Sequence, residues 1–196
     1  MATRGRPRSF DRDIALRRVM EVFWAKGYDG AQLNDLTAAI GVTPPSFYAA
    51  FGSKEAAFRE AVDLYIATIG SGPMIALAAP TVHAAIAGVL AESIDVALSN
   101  GAAGCLLILG VVHGQPGVSG ACDYLRVARR RTVALLQARL MRGIDEGELA
   151  PDSDPAQLAA FYHGIMQAIS FQARDGASRG ELEGLVAPAL AALRPA

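Results

Sequence analysis

Three arginines at every second position, Arg4, Arg6 and Arg8, open the chain, and the stretch GVTPPSFYAAFGSK at 41–54 carries Ser46, Tyr48 and Lys54. Guanidinium and ammonium groups hold phosphates, and hydroxyls bond either phosphate oxygens or base edges. The first 18 residues hold six Arg against two Asp, although the whole chain has a net charge of −1. A basic arm on an otherwise acidic protein points to a polyanion at that end only; the competing reading is a solvated tail. Catalytic chemistry has no comparable signal. His83, His113 and His163 lack metal-ligand spacing, and Cys105 and Cys122 form no CxxC pair. Cys105 lies in an apolar run, where a buried inert thiol is expected. Without a GxSxG, HExxH, P-loop or paired-carboxylate pattern, no enzyme activity, cofactor or metal is expected.

Helices must position these groups, because helical spacing recurs along the chain and nothing reads as a strand. A first helix from Asp11 carries Ile14, Leu16, Val19, Met20, Phe23 and Trp24 on one side, and Gly27 is expected to end it as a C-cap. A second covers about 32–40 and stops at Gly41. A third, about seven residues long, follows Pro44-Pro45. A residue before proline is pushed away from α geometry, which predicts Pro44 as the non-helical cap and Pro45 at the first helical position. Such short helices persist only when docked, so Leu36, Ile40, Val42, Phe47 and Phe51 are expected to pack on the first helix. Ser46, Tyr48, Ala49 and Ala50 then face outward, and Pro45 makes a stiff apolar tip suited to a thymine methyl. Lys54 falls in the first turn of a fourth helix ending near Ile69. A cation there opposes the helix dipole by roughly 0.3–1 kcal/mol, a cost that a bound phosphate would reverse.

GSGP at 70–73 reads as a junction. Beyond it, helices are expected near 81–99, 102–111, 119–147, 155–174 and 179–193. Asp154-Pro155 is a cap followed by Pro at the first helical position, and Ser178 with Glu181 is a capping box. Pro188 interrupts the last helix, with Gly184 placed to absorb a kink. The longest apolar run, GAAGCLLILGVV at 101–112, is too short to span a bilayer, and no signal peptide is visible, so a cytoplasmic protein without membrane contact is expected.

GRPRSFDRDIALRRVMEVFWAKGYDG, followed by DLTAAIGVTPPSFYAAFGSKEAAF, closely resembles the TetR family of bacterial transcription regulators. The matches are Phe23, Gly27-Tyr28, Asp35-Leu36, Gly41-Val42, Ser46-Phe47-Tyr48, Phe51, Lys54 and Phe58. GCLLILGVV at 104–112 and the last two predicted helices resemble one branch of that family, so the likeness spans essentially the whole chain. It implies an all-α protein: an N-terminal three-helix helix-turn-helix DNA-binding domain at 1–52, and an effector-binding and dimerisation domain at 53–196 whose segment 53–69 is a linking helix. By position, Pro45, Ser46, Ala49 and Ala50 are expected at the bases of the major groove. Gln32, Thr43, Tyr48 and Lys54 are expected on phosphates, with Arg4, Arg6 and Arg8 on phosphates or in a minor groove. The family usually starts its second helix with Thr or Ser, where this chain has Ala31-Gln32. The small Ala49 and Ala50 imply few direct base hydrogen bonds and more reliance on methyl contacts and DNA shape.

The resemblance also implies a homodimer built on a four-helix bundle. Ala156, Ala160, Phe161, Gly164, Ala168, Leu182, Leu185, Val186 and Leu190 are its candidate interface, with an intrachain core as the competing reading. An unknown small-molecule effector would be enclosed by Met74, His83, Leu107, His113, Tyr124, Phe161, Tyr162 and Met166, each of which also reads as ordinary core. The expected function is a repressor that binds a palindromic operator on double-stranded DNA and is released by its effector. The alternatives are an activator, or a helical ligand-binding protein with no specific operator.

Overall fold

The computed structural model describes residues 11–99, 103–110 and 120–196, and among them every regular element is helical. Arg4, Arg6, Arg8 and His113 lie outside the described residues. The helices are α1 (Arg12–Gly30), α2 (Leu33–Ile40), α3 (Pro44–Phe51), α4 (Lys54–Ala67), α5 (Gly72–Ile75), α6 (Val82–Leu98), α7 (Leu106–Leu109), α8 (Gly120–Asp145), α9 (Pro155–Arg174), α10 (Arg179–Glu183) and α11 (Val186–Leu190). Among the described residues no single helix is long and apolar enough to cross a membrane.

Local chemistry accounts for most of the helix starts. Asp11 caps α1 by accepting from the N–H groups of Asp13 and Ile14, and Ser53 caps α4 by accepting from Ala56. Asp154 caps α9 with Pro155 at its first position, and Ser178 with Glu181 forms the capping box of α10, both as the sequence suggested. Gly27 does adopt a positive φ of 67°, but it kinks α1, and helical turns resume to Gly30. A Cβ there would lie 3.1 Å from Gly110 O, the same carbonyl that accepts from Tyr28 N–H at 2.7 Å. Glycine is therefore required both by its φ and by the close approach of the 103–110 segment.

Three expected elements differ. The 102–111 helix shrinks to the four residues of α7, because Ala103 (φ 41°) and Gly104 (φ 85°) are left-handed and Cys105 is extended. The 70–73 break is instead a compact run of helical turns, with Pro73 buried. The last helix divides into α10 and α11 around Gly184-Leu185: Pro188 supplies no N–H and crowds the carbonyl four residues back, as its ring chemistry requires.

Two cores result. In the first, α1 to α4 bury Phe23, Trp24, Leu36, Phe47, Phe51, Phe58 and Tyr65, while Ile40 and Val42 pack at its edge. Phe23–Phe58 and Trp24–Tyr65 meet edge to face, each at 5.0 Å between ring centroids. Ile14, expected on the apolar side of α1, is half exposed. Leu106, Ala121, Cys122 and Leu125, from α7 and α8, complete this same cluster. The second core joins α6, α8, α9, α10 and α11 around Ile86, Leu90, Ile94, Leu136, Leu140 and Tyr162. Tyr162 ties α9 to α11 by donating its hydroxyl to Ala189 O at 3.1 Å.

Candidate nucleic-acid interface and effector cavity

Helix α3 starts one residue earlier than the proline reading expected. Thr43, with extended φ/ψ of −81° and 157°, is its N-cap, and Pro44 and Pro45 occupy the first two helical positions. Both prolines are tolerated because the first N–H groups of a helix have no intrahelical acceptor anyway, and each ring fixes φ near the helical value. The bias against α geometry before proline is weaker than that preorganisation here. The first intrahelical bond then runs from Phe47 N–H to Thr43 O at 3.0 Å. The Thr43 and Ser46 hydroxyls lie 3.1 Å apart and hydrogen-bond each other.

Phe47 and Phe51 are buried, and Thr43, Pro44, Pro45, Ser46, Tyr48 and Ala49 are exposed on the outer side. Ala50 is half-buried at the edge, where its carbonyl accepts from Arg12 Nε at 3.4 Å and Nη2 at 3.3 Å. Arg12 also reaches both carboxylate oxygens of Glu60, at 2.8 and 2.7 Å, and its guanidinium lies over the Phe51 ring at 5.1 Å. It therefore braces the end of α3 against α1 and α4. Sequence reasoning missed Arg12, since its partners lie 38 and 48 residues away and leave no local spacing to read.

Lys54 sits in the first turn of α4 with Nζ 4.5 Å from the centroid of the Tyr28 ring. That cation–π contact, worth about 0.5–1 kcal/mol at an exposed site, offsets its unfavourable place in the α4 dipole. Burial lowers the Lys54 pKa, partly countered by Asp29, and burial raises that of Tyr28, helped by Glu55 and Asp29. Gln32 is exposed at the start of α2. Its backbone N–H donates to Asp35 Oδ2 at 2.9 Å, the carboxylate half of a capping box at this helix start. Lys26 pairs with the other oxygen of Asp35 at 2.6 Å; that hydrogen bond, together with the one from Gln32 N–H, holds the Asp35 carboxyl below its ordinary pKa. Pro45, Ser46, Ala49, Tyr48, Thr43, Gln32 and Lys54 thus lie at or near the outer surface of one docked three-helix unit.

A cavity of about 270 Å³ lies between α4, α5, α6, α7, α8 and α9. Of the residues expected to enclose an effector, Met74, Leu107 and Met166 line it. His83, Tyr124, Phe161 and Tyr162 lie elsewhere. His83 is exposed on α6. Tyr124 donates to Asp63 across the α4–α8 contact, which, with burial and the Asp63 charge, raises its pKa to about 12. Tyr162 belongs to the second core, and Phe161 borders a shallow surface groove with Ser153, Gln157 and Arg194. The lining that the sequence did not suggest includes Tyr65, Ile66, Ser93, Val96, Cys105, Ile108, Leu135 and Ser170. They come from five separate elements and share no spacing.

On α9, Ala156, Ala160 and Phe161 are exposed, and a Cβ at Gly164 would meet nothing within 4 Å. Ala168, Leu185, Val186 and Leu190 are half-buried, whereas Leu182 is fully buried in the chain's own second core. Among the described residues no group of three His, Cys, Asp or Glu could hold a metal ion.

Residues 16–61 match the family described as bacterial regulatory proteins, tetR family, and residues 82–184 match the tetracyclin repressor-like C-terminal domain. Over 183 residues the chain is 34% identical to the HTH-type transcriptional repressor ComR of Escherichia coli (strain K12), spanning 92% of this chain and 87% of that protein. It is 26% identical over 180 residues to the HTH-type transcriptional repressor BdcR of the same organism, spanning 91% of this chain and 86% of that protein. Among solved structures, a cysteine-substituted form of the TetR family transcriptional regulator CifR, complexed with a 26-bp double-strand operator DNA, is similar with a TM-score of 0.88. Its sequence identity is 41%, covering 95% of this chain and 98% of that one.

Proposed function

The chain belongs to the TetR family of bacterial regulatory proteins and is a DNA-binding transcriptional regulator, and from that premise we propose that it is a repressor that binds a palindromic operator as a homodimer and leaves it when a small molecule fills the cavity. One observation carries this reading: α3 exposes Thr43, Pro44, Pro45, Ser46, Tyr48 and Ala49 on one side while Phe47 and Phe51 anchor the other. In this reading residues 1–52 are the DNA-binding head, 53–196 are the effector and dimer body, and 53–69 link them. Pro45, Ser46, Ala49 and Ala50 meet bases. Thr43, Tyr48, Gln32 and Lys54 meet phosphates, and the Arg4, Arg6 and Arg8 arm adds counterion release. The uncovered small residues of α9, Ala156, Ala160 and Gly164, support a partner helix approaching closely there. A two-fold dimer places two α3 helices about 34 Å apart, or at a multiple of that spacing, on the duplex. Work on DNA places the protein in the cytoplasm.

The test is a gel shift on the DNA upstream of its own gene across salt concentrations. Salt-sensitive binding to a palindromic site is expected. Failure to bind any such site specifically would leave a helical ligand-binding protein in its place. Two variants separate the assigned roles. Lys54→Ala weakens binding to all sequences alike and lowers the salt slope by about one. Ser46→Ala changes the preference among operator variants by about 1 kcal/mol, with little change in the salt slope. Equal, sequence-blind losses from both variants contradict the assignment.

A further inference from the structure

The cavity changes character from its mouth to its inner end. Ile66, Arg131 and Leu135 are exposed at the mouth. Tyr65 and Ser170, at 0% and 2% exposure, mark the inner end, where Gly104 brings Cys105 against the α9 backbone. Among the described residues that line it none is acidic, and Arg131 at the mouth is the only cation. Arg129 comes close to Cys105 but is not part of the lining, and its Nη1 donates to Leu107 O at 2.7 Å. Burial pushes the Cys105 thiol up in spite of Tyr65 and Arg129, so this end disfavours a charge.

The hydroxyls of the lining are not equivalent. Ser93 donates to Val89 O at 2.7 Å within its own helix, and Thr132 donates to Ala128 O at 3.4 Å. The Tyr65 hydroxyl donates to Cys105 Sγ at 3.2 Å, which leaves the phenol oxygen as an acceptor. Ser170 stands apart: it is almost fully buried, and its hydroxyl has no hydrogen-bond partner among the described residues. That hydroxyl is free to bond a molecule in the cavity, whose open space lies beside it.

We propose that Ser170 anchors the effector, hydrogen-bonding the single oxygen of an uncharged, otherwise apolar small molecule such as a ketone, aldehyde, ether or alcohol. The body of that molecule lies against Met74, Val96, Leu107, Ile108 and Met166. A carboxylate or an amine finds no counter-charge at the inner end and would have to give up its hydration there. The assignment rests on reading this cavity as the effector site.

Four probes of similar size separate the chemistries: acetophenone, ethylbenzene, benzoate and benzylamine. Their binding to the full-length protein is measured by calorimetry and thermal shift, in wild type and Ser170→Ala. Acetophenone is expected to bind at least about tenfold more tightly than benzoate or benzylamine. Ser170→Ala is expected to weaken acetophenone about tenfold, leave ethylbenzene unchanged, and leave the unliganded protein no less thermostable, since the hydroxyl it removes bonds nothing. Equal losses for acetophenone and ethylbenzene, tighter binding of either charged probe, or no binding by any of the four overturns the proposal. A gel shift with each probe tests the underlying reading separately. Ser170-dependent binding of acetophenone that leaves the operator complex intact upholds the subsite and removes the effector role. Operator release by benzoate, lost in Arg131→Gln, upholds the effector role and overturns the uncharged class.

Discussion

Phe47→Ala lowers stability by about 3–5 kcal/mol and abolishes specific DNA binding. Phe47 is fully buried, in ring contact with Phe51 at 5.1 Å, and it is the chief anchor of an eight-residue helix. A helix that short has no standing of its own in water, so losing its anchor frees the whole reading surface rather than one contact. Denaturant unfolding should show the loss, and for a chain of this size the thermal midpoint should fall by roughly 10 °C or more. Phe47→Leu separates packing from hydrophobicity by restoring most of the stability but only part of the affinity. If Phe47→Ala binds operator with wild-type affinity, α3 is not held as described.

Gly104→Ala is the second large effect, at about 3–4 kcal/mol. Gly104 has φ 85°, and an added Cβ would lie 2.3 Å from Leu109 Cδ1 and 2.8 Å from Ser170 O. The left-handed backbone costs an L-residue roughly 1–2 kcal/mol and overpacking about 1–3 more. Gly41→Ala is the matched control. Its φ of 69° is similar, but nothing lies within 4 Å of the new Cβ, so only the backbone cost of about 1–2 kcal/mol remains. Equal destabilisation of the two variants, measured by chemical denaturation, would show that the steric contact carries no weight.

Legibility in the sequence followed the range of the interactions. The α9 and α10 starts were readable because Asp154, Pro155, Ser178 and Glu181 act within three residues of themselves. Leu36, Phe47 and Phe51 were readable as buried because short docked helices have few faces to choose from, whereas Thr37, also buried, was missed and Ile40 is only half-buried. Pro44 was misplaced by one position, since a local steric bias was weighed above the N–H accounting of a helix start. The 102–111 run looked helical by composition, yet its first residues are fixed by distant partners: Trp24 Nε1 donates to Gly104 O at 2.7 Å and Arg174 Nε to Ala103 O at 2.9 Å. The cavity was the least legible part. Its walls converge from six elements, and Ser170 carries no signal beyond being a serine in an apolar helix.

The Trp24 bond to Gly104, together with the one that Arg174 Nη2 donates to Trp24 O at 3.4 Å, makes the head and the body poor interchangeable parts. Leu106, Ala121, Cys122 and Leu125 close the core around Phe23 and Phe58, and Gly110 takes the Tyr28 N–H. A chimera that joins residues 11–67 to a relative's body strands the Trp24 indole N–H in an apolar interior, at a cost of about 1–3 kcal/mol, and uncovers the aromatic cluster as well. On the proposed reading, new operator preferences in such a lineage are reached by exchanging the few exposed residues of α3, with the head left on the body it grew up with.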